Sequence, residues 1–253
     1  MKTVRLGDVC EKIGSGATPR GGDANYIESG VALIRSQNVY NDRFAYEGLA
    51  HIDDGAAEKL AGVTVAEGDV LLNITGDSVA RACLAPAEVL PARVNQHVSI
   101  IRPTSDELDA RFLRYFLVSP EMQRYMLGLA SAGATRKALT KGMIQDFSVP
   151  CPPIERQRSV ADVLAVLDAK IDFNRRRATN LEQLAKAIFR SRFVDFDAAP
   201  ELVDSPIGPI PEGWGYGTLG QVAARLAGST KPSARPDETF DLRHSCLRRR
   251  LHA

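Results

Sequence analysis

A chain of 253 residues, 44% hydrophobic and 25% charged, has room for one or two ordinary globular domains. Its net charge of +1 and pI near 7.7 leave no bulk signature of a nucleic-acid binder, for which a domain pI above about 9 is the usual mark; any nucleic-acid function must rest on a local patch or on a partner's charge. Four dispersed cysteines (Cys10, Cys83, Cys151, Cys246) with no Cys-x-x-Cys pair argue against a disulfide scaffold or zinc site, and no apolar run approaches the ~20 residues that cross a bilayer.

With no apolar h-region at the N-terminus, the chain reads as cytoplasmic, with reduced thiols and no membrane partner. Residues 1–150 read as α+β, a mixed domain with a twisted sheet. Val31-Ala32-Leu33-Ile34, Asp69-Val70-Leu71-Leu72-Asn73-Ile74 and Val98-Ser99-Ile100-Ile101 are apolar runs of strand length, punctuated by Gly30, Gly68, Gly76 and Pro103. Asp109 to Leu117 and Pro120 to Leu129 read as helices, the second opened by a Ser119 cap and a first-turn proline. Phe147-Ser148-Val149-Pro150 resembles a last strand, closed by the prolines of Pro150-Cys151-Pro152-Pro153.

From Glu155 to about Phe193 there is no Gly and no Pro. Val160, Leu164, Leu167, Ile171, Asn174, Ala178, Leu181, Ala185 and Ile188 recur at alternating spacings of four and three, a coiled-coil seam on a helix nearly 60 Å long at ~1.5 Å per residue. Asn174 falls on the seam, where a polar residue fixes register at some cost in stability. Such a helix either packs on its own globular domain or pairs with a partner helix, and the small Ala178 and Ala185 favour a partner. The expected organisation is a globular domain over 1–150, the helix over 151–196, a Pro- and Gly-rich linker over 197–217, and the disordered start of a further unit over 218–253.

That last segment repeats the first. Leu6-Gly7-Asp8-Val9, with Ile13 and Pro19, returns 213 positions later as Leu219-Gly220-Gln221-Val222, with Leu226 and Pro232 at the same spacing. A period this long marks a duplicated domain, since solenoid repeats run about 20–50 residues.

No enzyme motif assembles. Gly14-Ser15-Gly16 lacks the third glycine of a dinucleotide fingerprint, no Walker lysine, His-Glu-x-x-His or Gly-x-Ser-x-Gly occurs, and His51, His97, His244 and His252 are scattered. His97 reads as a hydrogen-bonded structural histidine, and Asp53-Asp54 as a helix cap. No metal ligand set and no cofactor are expected. Several strand ends instead carry side chains that bond in pairs: Ser15, Thr18 and Arg20; Arg35, Ser36, Gln37 and Asn38; Asn73, Thr75 and Arg81; and Thr135, Arg136 and Lys137. Asn and Gln suit adenine edges, Arg suits guanine, and hydroxyls and lysines hold phosphates. These residues are the candidate DNA contacts. The near-neutral charge leaves a second reading open, a non-catalytic adaptor that assembles other proteins through its helix.

Three passages resemble the specificity subunit of type I restriction-modification systems, the HsdS family. They are Gly68-Asp69-Val70-Leu71-Leu72-Asn73-Ile74-Thr75-Gly76 running on to Asn95-Gln96-His97; Gly133-Ala134-Thr135-Arg136-Lys137-Ala138-Leu139-Thr140; and Pro152-Pro153-Ile154-Glu155-Arg156-Gln157 with Leu167-Asp168-Ala169-Lys170-Ile171. The likeness covers Val4 to about Phe193 and resumes from Ile210 to about Leu242. It implies a target-recognition domain that reads one half of a bipartite double-stranded DNA site. It also implies a conserved helix that sets the spacing between halves and docks methyltransferase (M) subunits, which supply the S-adenosylmethionine chemistry at adenine. A restriction (R) subunit joins for cleavage, and the specificity subunit itself carries no catalytic residue. Arg243 to Ala253 departs from the pattern, so the expectation is a truncated, half-length member whose helices pair two copies as a homodimer.

Overall fold

The computed structural model describes residues 2–18, 22–131 and 137–218. In chain order it runs β1 (Thr3–Arg5), β2 (Cys10–Ser15), β3 (Val31–Ile34), β4 (Ala50–Ile52), α1 (Asp54–Lys59), β5 (Thr64–Val65), β6 (Val70–Asn73), β7 (Ala82–Leu84), β8 (Ala92–Val94), β9 (Val98–Pro103), α2 (Ala110–Leu117), α3 (Pro120–Ser131), α4 (Lys141–Gln145), β10 (Ser148–Pro150), α5 (Ile154–Phe193), β11 (Leu202–Val203) and β12 (Ile210–Pro211). The chain divides into two compact units, Met1–Thr179 and Asn180–Ala253, so α5 begins in the first and ends in the second.

In the first unit the expected single sheet is two four-stranded sheets, ordered β2-β9-β6-β7 and β4-β3-β8-β5, with a β1-β10 ribbon beside them. The period-2 alternation of strand side chains sorts the apolar residues into three layers. Val70 and Leu72 of β6, with Ile101 of β9, face α2, α3 and Phe147, while Leu71 and Ile100 face the second sheet. In β3, Ala32 and Ile34 meet that inter-sheet layer, and Val31 and Leu33 turn outward onto Ala57 and Leu60 at α1. A strand covered on both faces has no position left for a polar residue, which is why 31–34 is apolar throughout. The β3–β8 pair is parallel and the other pairs in the two sheets are antiparallel. Helix starts follow local capping: Asp53 Oδ1 accepts from Ala56 N at 2.8 Å, and Asp109 Oδ1 from Arg111 N and Phe112 N at 2.9 and 3.0 Å.

One face of α5 is fixed to this unit. Gln157 is fully buried; its Oε1 accepts from Asp109 N at 2.9 Å and its Nε2 donates to the Glu107 and Pro152 carbonyls at 2.9 and 2.8 Å. Ala161 is equally buried. Further along, Arg111 meets Asp162 at 2.7 Å, Arg114 and Tyr115 share Asp168 Oδ2 at 2.8 and 2.9 Å, and Arg175 reaches Asp42 at 2.6 Å. The seam lies elsewhere on the helix. At ~100° per residue Leu167, Asn174, Leu181, Ala185 and Ile188 fall about a quarter-turn or more from the Gln157, Ala161, Asp168 and Arg175 face, while Leu164 and Ile171 border it. Leu164 is half-buried, while Val160, Leu167, Ile171, Asn174, Ala178, Leu181, Ala185 and Ile188 are exposed.

In the second unit, Phe196 adopts φ 57° just past the helix end and packs edge-on against Trp214 at 5.4 Å, with Phe193 6.0 Å from the same indole. The β11–β12 ribbon pairs Leu202 with Pro211. The repeat beginning at Leu219 lies outside the described residues. Among the described residues no helix is long and apolar enough to cross a membrane.

Candidate nucleic-acid interface

Three loops leave the strand ends on one side of the two sheets. The first follows β3 as a tight turn over Ser36–Asn38. The second follows β6, turning at Gly76 with φ 72°, a conformation favoured by glycine because it has no Cβ, and returning through Arg81 into β7. The third, Asn95-Gln96-His97, joins β8 to β9.

Buried amides lock the loops together. Asn73 Nδ2 donates to Ser36 O at 2.8 Å and Val39 O at 3.4 Å, tying the second loop to the first. Asn38 Oδ1 accepts from Arg35 N at 3.0 Å and its Nδ2 donates to Ala45 O at 2.8 Å. Thr75 Oγ1 and His97 Nδ1 are 2.6 Å apart, Asn95 Oδ1 accepts from His97 N at 3.0 Å, and the Thr18 hydroxyl bonds Gln96. The Lys137 carbonyl accepts from Gly76 N at 3.0 Å.

The result is a polar concavity of about 420 Å³ lined by Ser36, Gln37, Tyr40, Thr75, Gly76, Asp77, Ser78, Arg81 and His97. Four candidates from the sequence, Ser36, Gln37, Thr75 and Arg81, converge there. Thr18 stands beside it through Gln96, Lys137 borders the second loop with its side chain exposed, and Ser15 is exposed at the end of β2. Arg35 is turned to the first loop, its Nη2 donating to Gly48 O at 2.7 Å and its guanidinium 5.0 Å from the Tyr26 ring. Gln37 is exposed and spends one amide hydrogen on Gly48 O at 3.1 Å, leaving its other polar capacity outward.

Asn38 and Asn73 need correction. Both side chains are fully buried and bonded to loop backbone, so they shape the concavity and cannot touch a ligand in it. Arg20, Thr135 and Arg136 lie outside the described residues. Tyr40, Asp77 and His97, none of them among the contacts expected from the sequence, also line the concavity. Tyr40 is flanked by two guanidinium groups, Arg43 at 4.6 Å and Arg81 at 4.9 Å from its ring, a cation–π arrangement that orients Arg81. An aromatic ring among the Ser, Asn and Arg residues of a loop was the available signal.

Away from the concavity, burial pushes the Cys83 thiol up to about 12, and Cys10 likewise to about 12. Such thiols are poor nucleophiles at neutral pH. Among the described residues no cluster of His, Cys, Asp or Glu has the makings of a metal site.

Fold and concavity define a two-sheet α+β domain followed by a long helix. The chain belongs to the type I restriction modification DNA specificity domain family, whose model matches residues 1–183. It is 28% identical over 199 residues to the HindI specificity subunit of Haemophilus influenzae, an alignment covering 78% of this chain and 41% of that protein. To the MjaIX specificity subunit of Methanocaldococcus jannaschii it is 25% identical over 236 residues, covering 90% and 52%. The HsdS subunit of Thermoanaerobacter tengcongensis has a similar fold, with a TM-score of 0.53 at 18% identity over 92% of this chain and 57% of that one. The chain thus spans about half the length of the curated relatives it matches.

Proposed function

We propose that this chain is the sequence-reading, non-catalytic component of a type I restriction-modification complex, working in the cytoplasm on double-stranded DNA. Its first unit reads one half of a bipartite site through the concavity between the Ser36, Thr75 and His97 loops. Its long helix positions the methyltransferase and restriction subunits, and a second copy supplies the other half-site through the Val160–Ile188 seam. The single observation that carries the reading is convergence: residues from loops some 40 and 20 positions apart in sequence are stapled by the buried Asn73 amide and the Thr75–His97 bond into one polar surface. Preorganised loops on rigid strand ends are how a scaffold presents base-reading side chains, because the ordering entropy is spent on folding, not on binding.

Selection from a randomised duplex library, with the chain alone and assembled with its cognate methyltransferase subunit, tests the proposal. A recurrent motif is the expected result, and a palindromic one with a fixed spacer would identify the two-copy arrangement. Enrichment of no sequence in either form would refute it.

A further inference from the structure

Asp77 is the one carboxylate among the residues lining the concavity, and it stands where a polyanion is expected to sit. A carboxylate can only accept hydrogen bonds, so against a phosphate it is repulsive, and its presence needs a donor opposite it. Arg81 is four residues away on the same loop and lines the same concavity. Among the described residues the Asp77 side chain makes no hydrogen bond or ion pair, and the Arg81 guanidinium has only the Tyr40 ring as a partner. Two opposite charges that share a small concavity and do not neutralise each other are both left for a ligand. The turn that carries them is fixed: Gly76 N donates to Lys137 O, Val79 N to Gly76 O, and Asn73 N to Arg81 O.

Base-edge chemistry narrows the ligand. In the major groove the donors are cytosine N4 and adenine N6. Adenine places the N7 acceptor beside its donor, a pattern that suits an amide and repels the second oxygen of a carboxylate. Cytosine offers its donor without a neighbouring acceptor on the same base, and its pairing partner, guanine, presents O6 and N7 to a guanidinium.

We propose, resting on the DNA-reading function above, that Asp77 and Arg81 together specify a C·G base pair, Asp77 accepting from cytosine N4 and Arg81 donating to guanine O6 and N7. Tyr40 is the positioning residue that holds Arg81 over the groove.

The test is library selection with the full chain, alone and with its methyltransferase subunit, for the wild type, Asp77→Asn and Arg81→Ala. The wild-type motif should contain a fixed C·G pair. Asp77→Asn should lose about 5- to 150-fold of its preference for cytosine at that pair. Its affinity for unrelated duplex should hold or rise, because a repulsive charge is gone. Arg81→Ala should relax the same pair. Asp77 is exposed and its side chain is unbonded among the described residues, so the thermal midpoint of Asp77→Asn should match the wild type. The inference fails if Asp77→Asn leaves the motif unchanged, if it weakens every sequence equally, or if Arg81→Ala relaxes a different pair. A wild-type chain that selects no motif would instead overturn the DNA-reading function itself.

Discussion

Gln37, Asn38 and Asn73 are chemically alike, and the fold gives them different tasks. Asn38 and Asn73 direct their amides inward to backbone carbonyls, and Gln37 stands at the surface of the concavity. Removing Asn73 leaves the Ser36 carbonyl with Val39 N alone, at 3.3 Å, and takes the Nδ2 bond from the Val39 carbonyl, so Asn73→Ala should destabilise the protein by about 1–3 kcal/mol. It should weaken DNA binding evenly across sequences, since it loosens the loops without deleting a base contact. Gln37→Ala should leave the urea midpoint unchanged, cost about 1–3 kcal/mol at one base pair, and relax that position alone. Denaturant titration and motif selection on the two variants separate the roles; identical profiles would undo the distinction. Cys83 offers a probe of the same region. It sits in the layer between the two sheets, nearly buried, with its thiol pushed up to about 12 by burial, so at pH 8 it is almost entirely protonated. Mass-spectrometric mapping after iodoacetamide treatment should find Cys83 unmodified in the folded protein and alkylated in urea. Labelling of Cys83 under native conditions would mean that the inter-sheet layer opens.

Among the elements, the contacts that aim α5 are concentrated on three arginines and one glutamine. Arg114 is nearly buried and is held by Asp168 Oδ2 at 2.8 Å and the Asn41 carbonyl at 2.6 Å. The same Asn41 accepts from Ala82 N through its side chain, so the chain of bonds runs from the start of β7 to the helix. Asp168→Ala leaves a buried cation short of a partner and the Tyr115 hydroxyl without an acceptor. The expected cost is about 1–3 kcal/mol, seen as a lower urea midpoint with an unchanged m-value. Arg111–Asp162 and Arg175–Asp42 are more exposed, and breaking either should move the midpoint far less. A midpoint shift for Asp162→Ala as large as that for Asp168→Ala would contradict this ranking. The long helix and β3 were legible in the sequence because each has a pattern long or uniform enough to exclude alternatives. Ala50-His51-Ile52, Ala82-Cys83-Leu84 and Ala92-Arg93-Val94 were not, because three residues are too few to establish a period of two. The split into two sheets was invisible for another reason: the parallel β3–β8 pair joins segments some 60 residues apart, a tertiary choice with no local signature. The candidate site was legible as chemistry but not as burial. Side-chain type marked Gln37 and Asn73 equally, and only packing tells which one faces out.

For the molecule as a whole, the unanswered demand is the apolar surface along α5. Leu167, Ile171, Leu181 and Ile188 on the seam are each about half exposed, and Val163, Val166, Phe173 and Leu184 widen the strip. Contiguous apolar surface of this kind marks an interaction site in a soluble protein. The seam borders the face bonded to the first unit at Leu164 and Ile171, but Gln157, Asp168 and Arg175 make the bonds and the exposed seam side chains make none of them, so a partner helix can cover the seam without releasing them. That division of contacts yields a clean prediction. Leu167→Glu with Ile171→Glu places two carboxylates at core positions of the seam, where burial of unpaired charge should cost about 2 kcal/mol or more of association energy. Because both side chains are exposed in the isolated chain, far-UV circular dichroism and the thermal midpoint should stay at wild-type values. Light scattering after size exclusion, with the chain alone and mixed with its methyltransferase subunit, should show the wild type assembling and the double variant failing to. If the variant assembles with wild-type stoichiometry, the seam is not the interface and the outer strip at Val163 and Phe173 becomes the surface to mutate. If it fails to assemble and also unfolds, then the seam is packed within the chain in solution, and the helix serves its own domain.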